Sequence, residues 1–150
     1  MRTVRSLKRL GKRIVFTNGC FEIIHVGHLR VLRKAKELGH VLVVAINSDA
    51  SVRKLKGRSH PIITARERAE ILASLEPVDF VTVFTELTPE RIISEVKPDV
   101  LVKGGDWRKD EIVGRDIVEA RGGRVVRIPL IRGHSTTRIL QKINRDSAHL

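Results

Sequence analysis

Five short apolar runs punctuate the chain: Ile14–Thr17, Val41–Ile46, Phe80–Phe84, Val100–Lys103 and Arg124–Ile128. They are rich in valine and isoleucine and nearly continuous, as strands covered on both faces must be. Longer segments with helical periodicity separate them. Strand alternating with helix predicts an α/β fold, a doubly wound, mostly parallel five-stranded sheet with helices on both faces and right-handed crossovers. With 150 residues, residues 1–150 are expected to form a single domain.

The helical segments carry their own punctuation. Between the first two strands, Leu29, Leu32 and Ala35, with Val31 and Leu38 beside them, form one stripe over His28–Leu38, and Gly39 stands where a C-terminal cap would. Thr64 and Glu67 have capping-box spacing before a face made of Ile71, Leu72 and Leu75. Thr88-Pro89 opens another helix, with proline at its first position. Residues 110–121 read as a helix stopped by Gly122-Gly123. A last helix starts near Ser135 with Ile139, Leu140 and Ile143 inward. The segment 48–64 has weak periodicity and four basic residues, Arg53, Lys54, Lys56 and Arg58; it reads as a short helix followed by a mobile loop.

Lysine and arginine number 29 against 17 acidic residues, a net charge of +12. That balance favours polyanionic partners, whether nucleic acid, anionic membrane or phosphorylated small molecules. Half of the excess lies in residues 1–13, with six basic residues and no acid. The segment reads as the solvated basic face of a first helix, with Val4, Leu7 and Leu10 on the other side; a transit peptide or nucleic-acid arm is the competing interpretation. No stretch approaches the roughly 18 apolar residues of a membrane span. The first apolar run is far shorter than the ~7–15 residues of a secretory core segment. One cysteine, Cys20, excludes an internal disulfide framework and a Cys-rich zinc site. A cytoplasmic protein is expected.

In open α/β sheets, ligands bind beyond the carboxyl ends of the strands, where the strand order reverses. Polar residues and glycines gather there: Thr17-Asn18-Gly19-Cys20-Phe21 after the first strand, Asn47-Ser48-Asp49 after the second, Lys103-Gly104-Gly105-Asp106-Trp107 after the fourth, and Arg132-Gly133-His134-Ser135-Thr136-Thr137 after the fifth. The sharpest signal is His25-Val26-Gly27-His28. Two histidines three apart at the start of a helix can face one side of its N-terminus. That end carries free N–H groups and partial positive charge, so it favours phosphate. Gly27 lets a bulky anion approach the backbone, and the imidazoles can stabilise charge that develops in phosphoryl or nucleotidyl transfer. A zinc site would need a third and fourth ligand, with only Cys20 and Glu22 close in sequence. Ordinary capping and packing roles are the plainer alternative for the two histidines.

The run T-N-G-C-F-x₃-H-V-G-H resembles the signature of the nucleotidyltransferase superfamily that includes the cytidylyltransferases and pantetheine-phosphate adenylyltransferase. N-S-D at 47–49, L-K-G at 55–57, V-K-G-G-D-W at 102–107 and S-T-T at 135–137 extend the resemblance over about residues 6–145 and are most similar to the heptose 1-phosphate adenylyltransferase branch. The resemblance implies a Rossmann-like nucleotidyltransferase fold and transfer of AMP from ATP to D-glycero-D-manno-heptose 1-phosphate, giving the ADP-heptose of lipopolysaccharide biosynthesis and pyrophosphate. Positioning and charge stabilisation would dominate such catalysis. Mg2+ would be held mainly through the ATP phosphates and water, so no protein ligand is named.

By the same resemblance His25, His28 and Lys56 are the expected catalytic residues, with Lys56 closing over the reacting phosphates from the loop. Asn18, Gly19, Cys20 and Phe21 would floor the nucleotide site with Gly27. Lys103, Gly104, Asp106 and Trp107 would border base and ribose. Ser135, Thr136 and Thr137 would hold phosphate, a role compatible with capping a helix. Asn47, Asp49 and Arg68 are candidates for the sugar-phosphate side, although Arg68 can equally be an ion-paired helix residue. Glu22 stands where the branch often has aspartate, and His134 where an aromatic or apolar residue is common. The kinase half of bifunctional members is not in this sequence, so a stand-alone transferase or an excised domain is expected, and the resemblance implies a homo-oligomer, a dimer as in related enzymes. The alternatives are a CTP-dependent glycerol 3-phosphate cytidylyltransferase or an FAD-forming adenylyltransferase on the same fold. A basic nucleic-acid-binding protein is disfavoured by four phenylalanines, one tryptophan and no tyrosine, since single-strand binders stack bases on aromatic rings.

Overall fold

The computed structural model describes residues 2–105, 107–129 and 135–147. Five parallel strands form one sheet: β1 (Ile14–Gly19), β2 (Val41–Asn47), β3 (Phe80–Phe84), β4 (Val100–Gly104) and β5 (Arg124–Ile128), in the order β3-β2-β1-β4-β5. The expected doubly wound parallel sheet is therefore what the chain forms. Around it lie α1 (Arg2–Arg9), α2 (Val26–Lys36), α3 (Asp49–Lys56), α4 (Ala65–Ala73), α5 (Glu90–Val96), α6 (Arg115–Glu119) and α7 (Thr136–Ser147). None of the described helices is long and apolar enough to cross a membrane.

Why the strands read as continuous apolar runs is visible in their alternation. Ile14 and Phe16 of β1, Val41, Val43 and Ala45 of β2 and Leu101 of β4 face one side, packing against Val4 of α1, Ile92, Ile93 and Val96 of α5 and Val118 of α6. Val15, Leu42, Val44, Ile46, Val100 and Val102 face the other and meet Val31, Leu32 and Ala35 of α2 and Leu72 of α4. Successive side chains of a strand point to opposite faces, so two buried faces require apolar residues throughout. β1 sits centrally, with Ile14 through Gly19 paired to Val41 through Ile46 on one side and Val15 through Thr17 paired to Val100 through Val102 on the other. The chain lays β2 and β3 on one side of β1, then crosses to place β4 and β5 on the other. The reversal point is the carboxyl end of β1 and β4.

Several local expectations shift. The helix over 110–121 is instead a short 3₁₀ turn, Lys109–Glu111, and then α6. Gly114 separates them at φ 86°, and a Cβ there would lie 2.4 Å from Ile93 Cδ1, so a continuous helix is excluded by both backbone and packing. α2 ends earlier than expected, with Glu37 as its right-handed C-cap. Pro89 is the N-cap of α5 and not its first helical residue. The capping box at Thr64 and Glu67 forms as expected. Lys56 belongs to the last turn of α3, which Gly57 terminates at φ 102°, and so does not lie on a loop. Leu10, Ile71 and Ile143 sit at the expected helical spacing but are 73%, 40% and 53% exposed. Periodicity marked their faces correctly but not how far the sheet extends beneath them.

Gly39 is required by close approach and not by capping. A Cβ there would sit 2.6 Å from Val15 Cγ2 and 2.8 Å from the Arg13 carbonyl oxygen. Since that oxygen is backbone and Val15 is central core, neither can yield cheaply. Gly39→Ala should cost about 1–3 kcal/mol by overpacking. Urea unfolding at neutral pH measures it, and an unchanged midpoint would contradict the close packing.

Candidate active site

The loop that leaves β1 is bent to aim two rings at one spot. Phe21 adopts φ 49°, a left-handed conformation uncommon for a bulky residue and often found where a site needs it. Its ring centroid lies 5.2 Å from that of His28. His25 is the N-cap of α2: its Nδ1 accepts from the Gly27 N–H at 3.1 Å. The His28 ring reaches back, its Nδ1 accepting from the His25 N–H at 3.4 Å. This is a capping box built from two imidazoles, whose centroids are 3.9 Å apart and tilted by 30°. In both rings Nδ1 acts as an acceptor, which puts a hydrogen on Nε2. The amides expected to stand free for phosphate are thus partly engaged by His25. Capping, the plainer alternative, is realised here.

Burial, reinforced by the charges of His25 and Lys56, pushes the His28 pKa down to about 4. It is a neutral hydrogen-bond donor at physiological pH. Two lysines supply the positive charge. Lys103, at the end of β4, donates to Asn18 Oδ1 at 2.8 Å, and burial lowers its pKa to about 8. Lys56 donates to Glu22 Oε2 at 2.8 Å. Burial raises the Cys20 thiol pKa, and its Sγ lies 3.7 Å from Asn47 Oδ1; this is a packed thiol without the features of a nucleophile.

Asn18, Gly19, Cys20, Phe21, His28 and Gly104 line a cavity of about 190 Å³ together with Thr17 and Val31. The structure therefore gathers the β1 loop, the second histidine and the end of β4 at the reversal point of the sheet. His25 stacks on that cavity's His28, and Lys103 holds its Asn18. Gly27 is buried in the first turn of α2.

Other expected residues lie elsewhere. Arg68 is fully buried. Its guanidinium donates to the carbonyls of Ile63, Cys20 and Asn47 and to Asp49 Oδ1, at 3.2, 2.6, 2.9 and 2.8 Å. Asp49 also accepts from the Ala65 N–H at 2.7 Å, and buried Asn47 donates to Ser51 Oγ at 3.0 Å. Asn47 and Arg68 are buried beneath the site, Asp49 stays partly exposed, and Arg68 is ion-paired to it. Trp107 is 48% exposed, with its carbonyl accepting from Arg127 at 2.8 Å. Ser135 Oγ accepts from the Arg138 N–H at 3.2 Å, capping α7. Thr136 donates to the Ile23 carbonyl at 3.4 Å, which brings the start of α7 beside the histidine loop; Thr137 is exposed. Asp106, Arg132 and His134 lie outside the described residues. Sequence reasoning missed His60, and it treated Glu22 only as a departure and as a residue near a possible zinc site. No local signal marks them, because their partners are distant in the chain.

Among the described residues, no three histidine, cysteine or acidic side chains converge to hold a metal ion. Glu22, the carboxylate nearest the histidines in sequence, is already engaged by Lys56 and His60. The donor set fits a magnesium carried by triphosphate oxygens and water, which that ion tolerates, and not one caged by protein.

A parallel sheet with paired imidazoles and lysines at its reversal point is consistent with an α/β domain of nucleotidyltransferase type. The chain belongs to the cytidylyltransferase-like family, whose profile matches residues 16–142. It is 53% identical over 96% of its length to the bifunctional protein HldE of Geotalea uraniireducens, of which it covers 29%. It is 55% identical over 89% of its length to the HldE protein of Citrifermentans bemidjiense, covering 27% of that chain. The chain thus spans under a third of these curated relatives. The crystal structure of a lipopolysaccharide core biosynthesis protein from Thermoplasma volcanium superposes with a TM-score of 0.67 at 29% identity, over 83% of this chain and 100% of the other.

The depressed His28 pKa carries a stability signature. Native His28 takes up its proton near pH 4, whereas the ordinary value is 6.5. Between those values the unfolded chain binds more protons, so the fold weakens as pH falls from 6.5 toward 4. Replacing His28 with asparagine removes that contribution. Thermal melts at pH 7 and pH 5 should show a smaller acid-induced drop in Tm for His28→Asn than for wild type; equal drops would place His28 in solvent.

Proposed function

We propose that residues 1–150 act as a single nucleotidyltransferase domain that transfers AMP from ATP to D-glycero-D-manno-heptose 1-phosphate, giving ADP-heptose and pyrophosphate. The observation that carries this reading is the stacked His25–His28 pair at the sheet's reversal point, with its Nε2 hydrogens assigned by the cap. The heptose assignment draws support from the sequence motifs and from the identity to HldE proteins.

In this reading a sugar-phosphate oxygen attacks the α-phosphorus of ATP in line. The new O–P bond forms as the bond to the departing pyrophosphate breaks, and pyrophosphate leaves with the electron pair. His25 and His28 donate Nε2 hydrogen bonds to phosphate oxygens, where negative charge shifts toward the leaving group. The neutrality of His28 leaves charge balance to Lys56 and Lys103. Bound magnesium supplies further neutralisation of the triphosphate. Gly19 and Gly104 keep the floor of the cavity low enough for a nucleotide to lie against backbone. Asp106, Trp107, Ser135, Thr136 and Thr137 complete the nucleotide side, with Asn47, Asp49 and Arg68 acting beneath it as supports. We place the enzyme in the cytoplasm as a homodimer.

A panel of ATP or CTP with heptose 1-phosphate, glycerol 3-phosphate or FMN, read by pyrophosphate release, tests the assignment. Turnover is expected with ATP and heptose 1-phosphate. Turnover only with CTP and glycerol 3-phosphate, or only with ATP and FMN, would replace it.

Two sets of variants test the mechanism. His25→Asn retains a capping acceptor at the N-cap and loses the Nε2 donor, so kcat should fall about 10²–10³-fold with Tm nearly unchanged. His25→Ala and His28→Ala should lose as much activity and also about 1 kcal/mol of capping stability. Lys56→Ala should lower kcat more than it raises the KM for ATP. Wild-type rates in the histidine variants would remove the rings from the reaction.

A further inference from the structure

Glu22 has an unusual setting for a carboxylate. It is 1% exposed, the only acidic side chain among the described residues to be buried. An ionised carboxylate buried this deeply persists only when paired. Its two oxygens are divided between two basic residues: Oε2 accepts from Lys56 Nζ at 2.8 Å, and Oε1 lies 2.7 Å from His60 Nδ1. Burial alone would raise the Glu22 pKa, but the hydrogen bonds and charges of Lys56 and His60 overcome it and hold the carboxyl below its ordinary range. A carboxylate only accepts, so His60 Nδ1 carries the hydrogen in this contact.

The location gives this pairing a purpose. Glu22 lies three residues before His25, in the loop that also carries Cys20 and Phe21. Lys56 is the last residue of α3, and His60 lies in the segment 57–63 that joins α3 to α4. One buried carboxylate therefore ties the end of α3 and the segment after it to the histidine loop. Lys56 is still 40% exposed, so its ammonium is fixed at one side and open to solvent at the other. Its charge opposes the rise that burial imposes on the Cys20 pKa and adds to the lowering at His28, and both residues line the cavity. A lysine has four rotatable stem bonds, and without an anchor it would spread its charge over a wide volume.

We infer that Glu22 is a positioning residue, holding the Lys56 ammonium against the nucleotide cavity and fastening the 57–63 segment there through His60. The inference rests on the nucleotidyltransferase reading of the site. It assigns Glu22 no contact with substrate; it acts through Lys56, by fixing a charge where the reacting phosphates lie.

A double-mutant cycle tests it. In Glu22→Gln, kcat should fall about tenfold or more while the KM for ATP stays within about threefold. In a Lys56→Ala background, the same substitution should change kcat by less than about twofold, because the group it positions is gone. Glu22→Asp, which keeps the charge on a stem one methylene shorter, should recover part of the loss. Equal losses in the two backgrounds, or an undiminished kcat in Glu22→Gln, would overturn the inference. If Glu22→Gln does not fold, as circular dichroism would show, the cycle is run with Glu22→Asp and judged by the same criterion. A second readout is independent of turnover: acylation of Lys56 by an N-hydroxysuccinimide ester, followed by peptide mass spectrometry. Release from Glu22 should accelerate Lys56 labelling at least about threefold relative to other lysines, and an unchanged rate would overturn the inference. A wild-type protein without turnover in the substrate panel would overturn the functional reading while leaving the labelling result to judge Glu22 alone.

Discussion

Much of the site depends on one reciprocal contact: each of two histidines uses its Nδ1 to accept a backbone N–H at the start of α2. The contact starts the helix, since the first N–H groups of any helix have no partner within it. It also assigns the tautomer, because a ring nitrogen that accepts cannot carry the hydrogen. Finally it stacks the rings, which fixes where both Nε2 atoms point. Serine or aspartate could cap the same helix but would leave no donor over. Histidine is the residue whose two nitrogens allow structure and chemistry to be divided between them.

That cap is useful only if the loop before it is rigid, and Arg68 supplies the rigidity. Its guanidinium gathers carbonyls from the β1 loop, from the end of β2 and from the residue before the α4 cap, with Asp49 as counter-charge. Burying a guanidinium is favourable only when nearly all its donors are used. Here the cost of desolvation selects one arrangement of three chain segments. Asn47 and Cys20 continue the same layer. The polar layer beneath the cavity is thus a positioning structure, and no buried side-chain nitrogen or oxygen among the described residues lacks a hydrogen-bond partner.

The sheet was legible in the sequence because burial on both faces leaves a mark within each strand. The cavity was legible for a related reason: a parallel sheet puts its loops at one end, so the glycines and polar residues after β1 and β4 had to converge. Cap residues were legible where the partner lies three residues away, as with Thr64 and Glu67 or His25 and His28. What could not be read was pairing at a distance. Glu22 and Lys56 are 34 residues apart, and Arg68 and the Cys20 carbonyl 48; nothing in the local pattern reports such contacts. The exposure of Leu10 and Ile143 was hidden for a different reason, since periodicity defines a helix face but not what covers it. Gly114 was hidden because a left-handed break inside a helical pattern depends on the approach of Ile93 from another helix.

The charge state of the free site has a direction. Desolvation lowers the pKa of both His28 and Lys103, so two groups beside the cavity are held short of their full affinity for a proton. An arriving phosphate reverses that penalty, because an adjacent anion favours the charged form of each. Lys56 is handled differently: its charge is retained but balanced by Glu22. A neutral His28, a desolvated Lys103 and a paired Lys56 are three ways of bringing basic groups together at one end of a sheet.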